Sequence, residues 1–135
     1  MKIALISCVK TKQNVKYKAK DLYTSSLFKM NYAYAKKTCD RVFILSAKHG
    51  LLAENDLIEP YEKTLNKMKA AERNAWANDV ISQLQKETDL QNDKFLILAG
   101  ERYRADILQH IKHYEIPFEK LSFGRQLQKL KELLK

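Results

Sequence analysis

Three short apolar runs punctuate the chain: Ile3-Ala4-Leu5-Ile6, Val42-Phe43-Ile44-Leu45 and Phe95-Leu96-Ile97-Leu98. Each is continuous rather than alternating, which predicts strands covered on both faces, as in a parallel sheet. Between them the apolar spacing becomes helical. Residues 25–38 set Leu27, Met30 or Asn31, and Tyr34 along one side, next to Phe28, Tyr32 and Ala35, with Thr24 or Ser25 as N-cap. Residues 67–87 place Met68, Ala71, Ala75, Trp76, Val80 and Leu84 at helical spacing, which makes Trp76 a core residue. Residues 102–114 align Tyr103, Ile107, Ile111 and Tyr114 before Pro117, and residues 125–134 repeat Leu127, Leu130, Leu133 and Leu134. A fourth short strand is expected near Phe118-Glu119-Lys120-Leu121.

Strands alternating with helices predict right-handed crossovers and an α/β three-layer sandwich with a short, mainly parallel sheet flanked by helices. At 135 residues, with no repeat or linker, the chain is expected to form a single domain over residues 1–135. In such sheets ligands sit beyond the carboxyl ends of the strands. Those ends are Ser7-Cys8-Val9-Lys10, Ser46-Ala47-Lys48-His49-Gly50 and Gly100-Glu101-Arg102-Tyr103.

Charge sharpens this picture. The net charge is +9, and residues 1–50 carry all of the excess, with eleven basic residues against two acids. Lys10, Lys12, Lys16, Lys18 and Lys20 fall within eleven positions that hold no acid. They would grip a polyanion, or simply form a solvated loop. No apolar run is long enough to span a bilayer, so no membrane partner is expected. Met1-Lys2 followed by four apolar residues reads as a first strand rather than a signal peptide. Cys8 and Cys39 form no disulfide or metal pattern and suit the reducing cytoplasm.

The chemistry concentrates in Ser46-Ala47-Lys48-His49-Gly50-Leu51-Leu52 and in Glu59-Pro60-Tyr61. A hydroxyl, an ammonium and an imidazole lie within four residues, Gly50 can adopt a positive φ, and Pro60 stiffens the approach to Tyr61. Cys8 is a candidate nucleophile beside lysines, or a buried cysteine closing a strand. His110 and His113 lie three apart on the expected helix, without a third ligand, and read as surface histidines. Gly124-Arg125 opens the last helix, where backbone N–H groups and a guanidinium can hold an anion. No Walker loop, dinucleotide-binding glycine fingerprint or zinc pattern occurs, and no cofactor or metal is expected.

The stretch from Ser46 through Leu52 to Pro60-Tyr61 resembles the core of the YaaA-type peroxide-stress proteins, and Ile6-Ser7-Cys8-Val9-Lys10-Thr11 is similar to their amino-terminal segment. That likeness covers the first strand and roughly residues 44–65. Over nearly the full length the chain resembles a family of small bacterial and phage proteins of unassigned function. The matching segments are Ser7 to Lys10, Asp21-Leu22-Tyr23-Thr24-Ser25, Ser46 to Tyr61, and Gly124-Arg125. Cys8, Lys10, Tyr23 and Ser25 loosely parallel a pattern of the archaeosine synthase core domain, although its proline before the cysteine is absent. Together these resemblances imply a YaaA-like α/β domain with a link to nucleic acids or modified nucleobases.

Two readings stay open. In the first, a polar pocket recognises, and as an enzyme processes, a nucleobase or nucleotide. Cys8, Lys10, Ser46 and Lys48 would be its catalytic candidates, with Ser7, Tyr23, Ser25, His49, Gly50, Tyr61, Gly100, Gly124 and Arg125 binding the ligand. In the second, Lys12, Lys16, Lys18 and Lys20 grip DNA or RNA in a non-enzymatic accessory protein of stress response or phage–host conflict. The sequence leaves the substrate and the oligomeric state undecided.

Overall fold

The computed structural model of the protein describes residues 1–7, 15–61 and 63–135. The first strand, β1, spans Lys2–Ser7 and takes the centre of the main sheet. Parallel to it on one side runs β3 (Arg41–Ser46), and on the other β6 (Lys94–Leu98). Beyond β6 lies the parallel β7 (His113–Glu115), and beyond β3 the antiparallel β4 (Gly50–Ala53), giving the order β4-β3-β1-β6-β7. The three apolar runs are thus the three inner strands, and Ile3 to Ile6 are fully buried among them. A two-stranded antiparallel ribbon, β2 (Tyr17–Lys18) with β5 (Leu57–Ile58), stands apart from this sheet.

The helices are α1 (Ala19–Leu22), α2 (Ser26–Thr38), α3 (Ala70–Glu87), α4 (Glu101–Leu108) and α5 (Phe123–Leu133), with a 3₁₀ turn at Leu65–Lys67. Helix α2 carries the chain from β1 to β3 and packs on both strands and on α5. Helix α3 returns the chain from β4 past β1 to β6, the opposite direction, and packs on β4 and α4. Because such crossovers are right-handed, opposite directions put α2 and α3 on opposite faces.

Several expectations are corrected. The segment after Gly50 is a strand, because the chain reverses within residues 47–49 and sets Leu51 and Leu52 beside β3, one toward each face of the sheet and both buried. The third helix stops at Leu108. Ile111 still reaches the core at helical spacing, but through a turn closed by Ile111 N–H to the Leu108 carbonyl. The fourth parallel strand is His113–Glu115 rather than Phe118–Leu121, and Tyr114 on it is exposed. Glu115 secures it by pairing with Lys2 Nζ at 3.2 Å and Lys94 Nζ at 3.6 Å. Phe118 is buried in the turn that follows, where Lys120 takes a positive φ. His110 and His113 thus share no helix, and both are exposed. In α3, Ala71 and Ala75 face solvent, and the buried stripe is Trp76, Ala77, Val80, Ile81 and Leu84. Among the described residues, no helix is long and apolar enough to cross a membrane.

Candidate functional site

Three hydroxyls meet at the carboxyl end of β3. Ser46, the last residue of that strand, is fully buried and donates its hydroxyl to Tyr61 Oη at 2.8 Å. Tyr61 Oη lies 2.6 Å from Tyr23 Oη, and both rings are almost entirely buried. Ser46 Oγ also accepts from the backbone N–H of His49 at 3.1 Å. Ser46 donates to Tyr61, and one of the two tyrosine hydroxyls donates to the other, so the three hydroxyls form a continuous bonded chain. Buried hydroxyls without such partners would carry a large desolvation cost, so the chain is a cooperative unit.

Each member arrives by a different route. Tyr23 ends α1, which is held by Ala19 N–H to the Asp56 carbonyl and Lys20 N–H to the Glu54 carbonyl. Tyr61 follows Pro60 on the long connection out of β5. Ser46 is held from behind by α3, where Trp76 Nε1 donates to its carbonyl at 2.8 Å. The edge of the Trp76 ring meets Tyr103 of α4 at 5.8 Å between centroids, which ties β3 to the loop after β6.

Lys48 and His49 form the tip of the turn between β3 and β4, and both are exposed. The His49 ring stands edge-on to Tyr61, 5.5 Å between centroids. Partial burial, aided by the Lys48 ammonium, pushes the imidazole below its ordinary pKa. Gly50 closes the turn at φ +75, where a side chain is strained, and a Cβ there would lie 2.5 Å from Gln83 Oε1. A linkage prediction follows for His49. Its folded pKa is depressed, so the unfolded chain takes up the proton first as pH falls below about 6.5. Stability should therefore drift downward through that window and level off below the folded pKa. Thermal melts of wild type and His49→Gln across pH 5–8 check this, and identical profiles would contradict it.

The other residues marked in the sequence fall in three groups. At the neighbouring strand end, Ser7 Oγ accepts from the Gly100 N–H at 3.3 Å, joining the tips of β1 and β6. Ser25 spends its hydroxyl as the N-cap of α2, accepting from Phe28 N–H at 3.1 Å. Arg125 and Gly124 are exposed in the first turn of α5, which packs beside α2, and the Arg125 N–H bonds the Ser122 cap. The third group is the lysines. Lys18 lies on β2 opposite Leu57, Lys16 just precedes it, and Lys20 lies in α1. The turn before β5 accepts from this segment through the Glu54 and Asp56 carbonyls, while the Glu54 carboxylate is taken by the Tyr32 hydroxyl and by Lys36 Nζ at 3.3 Å. Cys8, Lys10 and Lys12 lie outside the described residues.

Trp76 and Gln83 bond the backbone on either side of the turn between β3 and β4, and neither is assigned to the site by the sequence pattern. A tryptophan in an apolar stripe signals core, and nothing in the spacing shows that its N–H reaches a strand-end carbonyl. Gln83 looks like an ordinary polar helix position. Among the described residues, no group of three or more His, Cys, Asp or Glu side chains converges to hold a metal.

Fold and site define an α/β protein whose polar centre lies at the carboxyl edge of a mainly parallel sheet. The chain belongs to the family of unknown function DUF6884, whose model matches residues 3–132. No curated protein matches it.

Proposed function

We propose that this protein recognises a phosphate-bearing nucleotide, or a nucleobase within one, at the carboxyl edge of the sheet. The observation that carries the reading is the bonded chain Ser46–Tyr61–Tyr23 lying against the turn that presents Lys48 and His49. An ammonium on an exposed turn is suited to a phosphate. Oriented hydroxyls and an imidazole held neutral are suited to the carbonyl and amino groups of a base. The carboxyl edge of the sheet gives this ligand the location usual for doubly wound sheets. Ser46 has both functions of its hydroxyl engaged, so its role is that of a fixed donor and acceptor.

The test begins with native mass spectrometry of small molecules retained by the purified protein, followed by calorimetry with nucleosides and their mono-, di- and triphosphates. Lys48→Ala is expected to weaken nucleotide binding about tenfold or more, the worth of about 1.4 kcal/mol. It should leave the melting temperature and nucleoside binding nearly unchanged. If no nucleotide binds at millimolar concentration, the proposal fails. If duplex DNA binds instead with a steep salt dependence, the lysines of the amino-terminal segment take over the role.

A further inference from the structure

Helix α3 touches the turn between β3 and β4 at both ends. Trp76 Nε1 donates to the Ser46 carbonyl at 2.8 Å on one limb, and Gln83 Oε1 accepts from the Leu51 N–H at 2.9 Å on the other. These side chains lie seven residues apart, two helical turns along one face. Between the anchored positions the chain must turn through Ala47, Lys48, His49 and Gly50, and Gly50 leaves just enough room for Gln83. Both bonds go to backbone atoms of the turn, so they fix its path and not merely a side-chain contact. A third bond, His49 N–H to Ser46 Oγ, tightens the same turn from within.

We infer that Gln83 and Trp76 are positioning residues, a two-point clamp by which α3 sets the orientation of Lys48 and His49 against the Tyr61 hydroxyl chain. The ligand-binding consequence rests on the nucleotide reading above, whereas the clamp itself does not. Neither residue would touch the ligand. Their effect passes through the turn: a freed Leu51 limb lets His49 swing away from Tyr61 and lets Lys48 sample many directions.

The test uses Gln83→Leu, which keeps the bulk and removes the acceptor, and Gln83→Glu, which keeps an acceptor. Amide hydrogen exchange and an NMR titration of His49 are measured on the full chain. In Gln83→Leu the Leu51 amide should exchange roughly three- to tenfold faster, the factor one hydrogen bond supplies. The His49 pKa should rise toward its ordinary value as the ring loses its burial. In Gln83→Glu the Leu51 amide should stay protected. Unchanged Leu51 exchange and an unmoved His49 titration in Gln83→Leu would overturn the clamp. Should that variant fail to fold, Trp76→Phe tests the other limb, where faster exchange of the His49 amide supports the clamp and unchanged exchange refutes it. Calorimetry with the nucleotides separates the two ideas. A wild type that binds none defeats the nucleotide reading while exchange and titration still decide the clamp. A wild type that binds, with Gln83→Leu binding equally well, overturns the ligand-binding consequence of the clamp, while exchange and titration decide the clamp itself.

Discussion

Replacing Trp76 with alanine is expected to remove roughly 3–5 kcal/mol of stability, the cost typical of truncating a buried tryptophan. The ring is 8% exposed and lies in the stripe by which α3 packs on the sheet. Two further losses add to the cavity. The Ser46 carbonyl loses its indole donor at the end of a buried strand, and Tyr103 loses an edge contact that connects α3 to α4. For a domain of this size the melting temperature should fall by roughly 10–15 °C. Trp76→Phe separates the contributions, since it keeps most of the apolar volume and discards the N–H. It should cost about 1–3 kcal/mol, mainly for the unsatisfied carbonyl. Urea unfolding of both variants checks the pair. A Trp76→Ala protein that melts like wild type would show the ring to be peripheral.

Tyr61→Phe is expected to destabilise by about 1–3 kcal/mol although it removes a single oxygen. That oxygen is the middle of the buried chain, so Ser46 loses its acceptor and Tyr23 loses a hydroxyl partner together. Ser46→Ala should cost a similar amount, because the His49 N–H and Tyr61 each lose a partner. The informative measurement is the double variant. If the hydroxyls act as a unit, Ser46→Ala with Tyr61→Phe should cost less than the sum of the two, by about 1 kcal/mol. Strict additivity in denaturant melts would show that they are independent neighbours.

The inner strands were legible because burial on both faces leaves an uninterrupted apolar run, and nothing else of that length in this chain is so apolar. Helix α2 was legible to within a residue, since Ser25 supplies a cap and Phe28 and Ala35 keep helical spacing. The segment from Leu108 to Tyr114 misled for a physical reason. Ile107 and Ile111 both reach the core, a coincidence that helix and turn produce alike, and short strands carry too few residues for alternation to show. The ribbon of β2 and β5 is two residues a side and leaves no period at all. At the site, Ser46, Lys48, His49, Gly50 and Tyr61 were visible because they cluster in sequence. Tyr23 was marked by a resemblance alone, and its bond to Tyr61 spans 38 residues. Trp76 and Gln83 act through backbone atoms, which no side-chain pattern advertises.

The outer strands of the sheet have a consequence for the protein at high concentration. β7 is three residues long and β4 four, so each exposed edge offers few free N–H and C=O groups as a template. Glu115 lies at the end of β7, with Lys2 and Lys94 gathered around it, and a strand docking there would have to displace or bury those charges. Short, charged edges of this kind discourage sheets of neighbouring molecules from joining. The three apolar strands that form the core are thereby covered by one short, charged strand at one end and by a tight hairpin at the other, so their long β-forming runs offer no free edge to a neighbouring molecule.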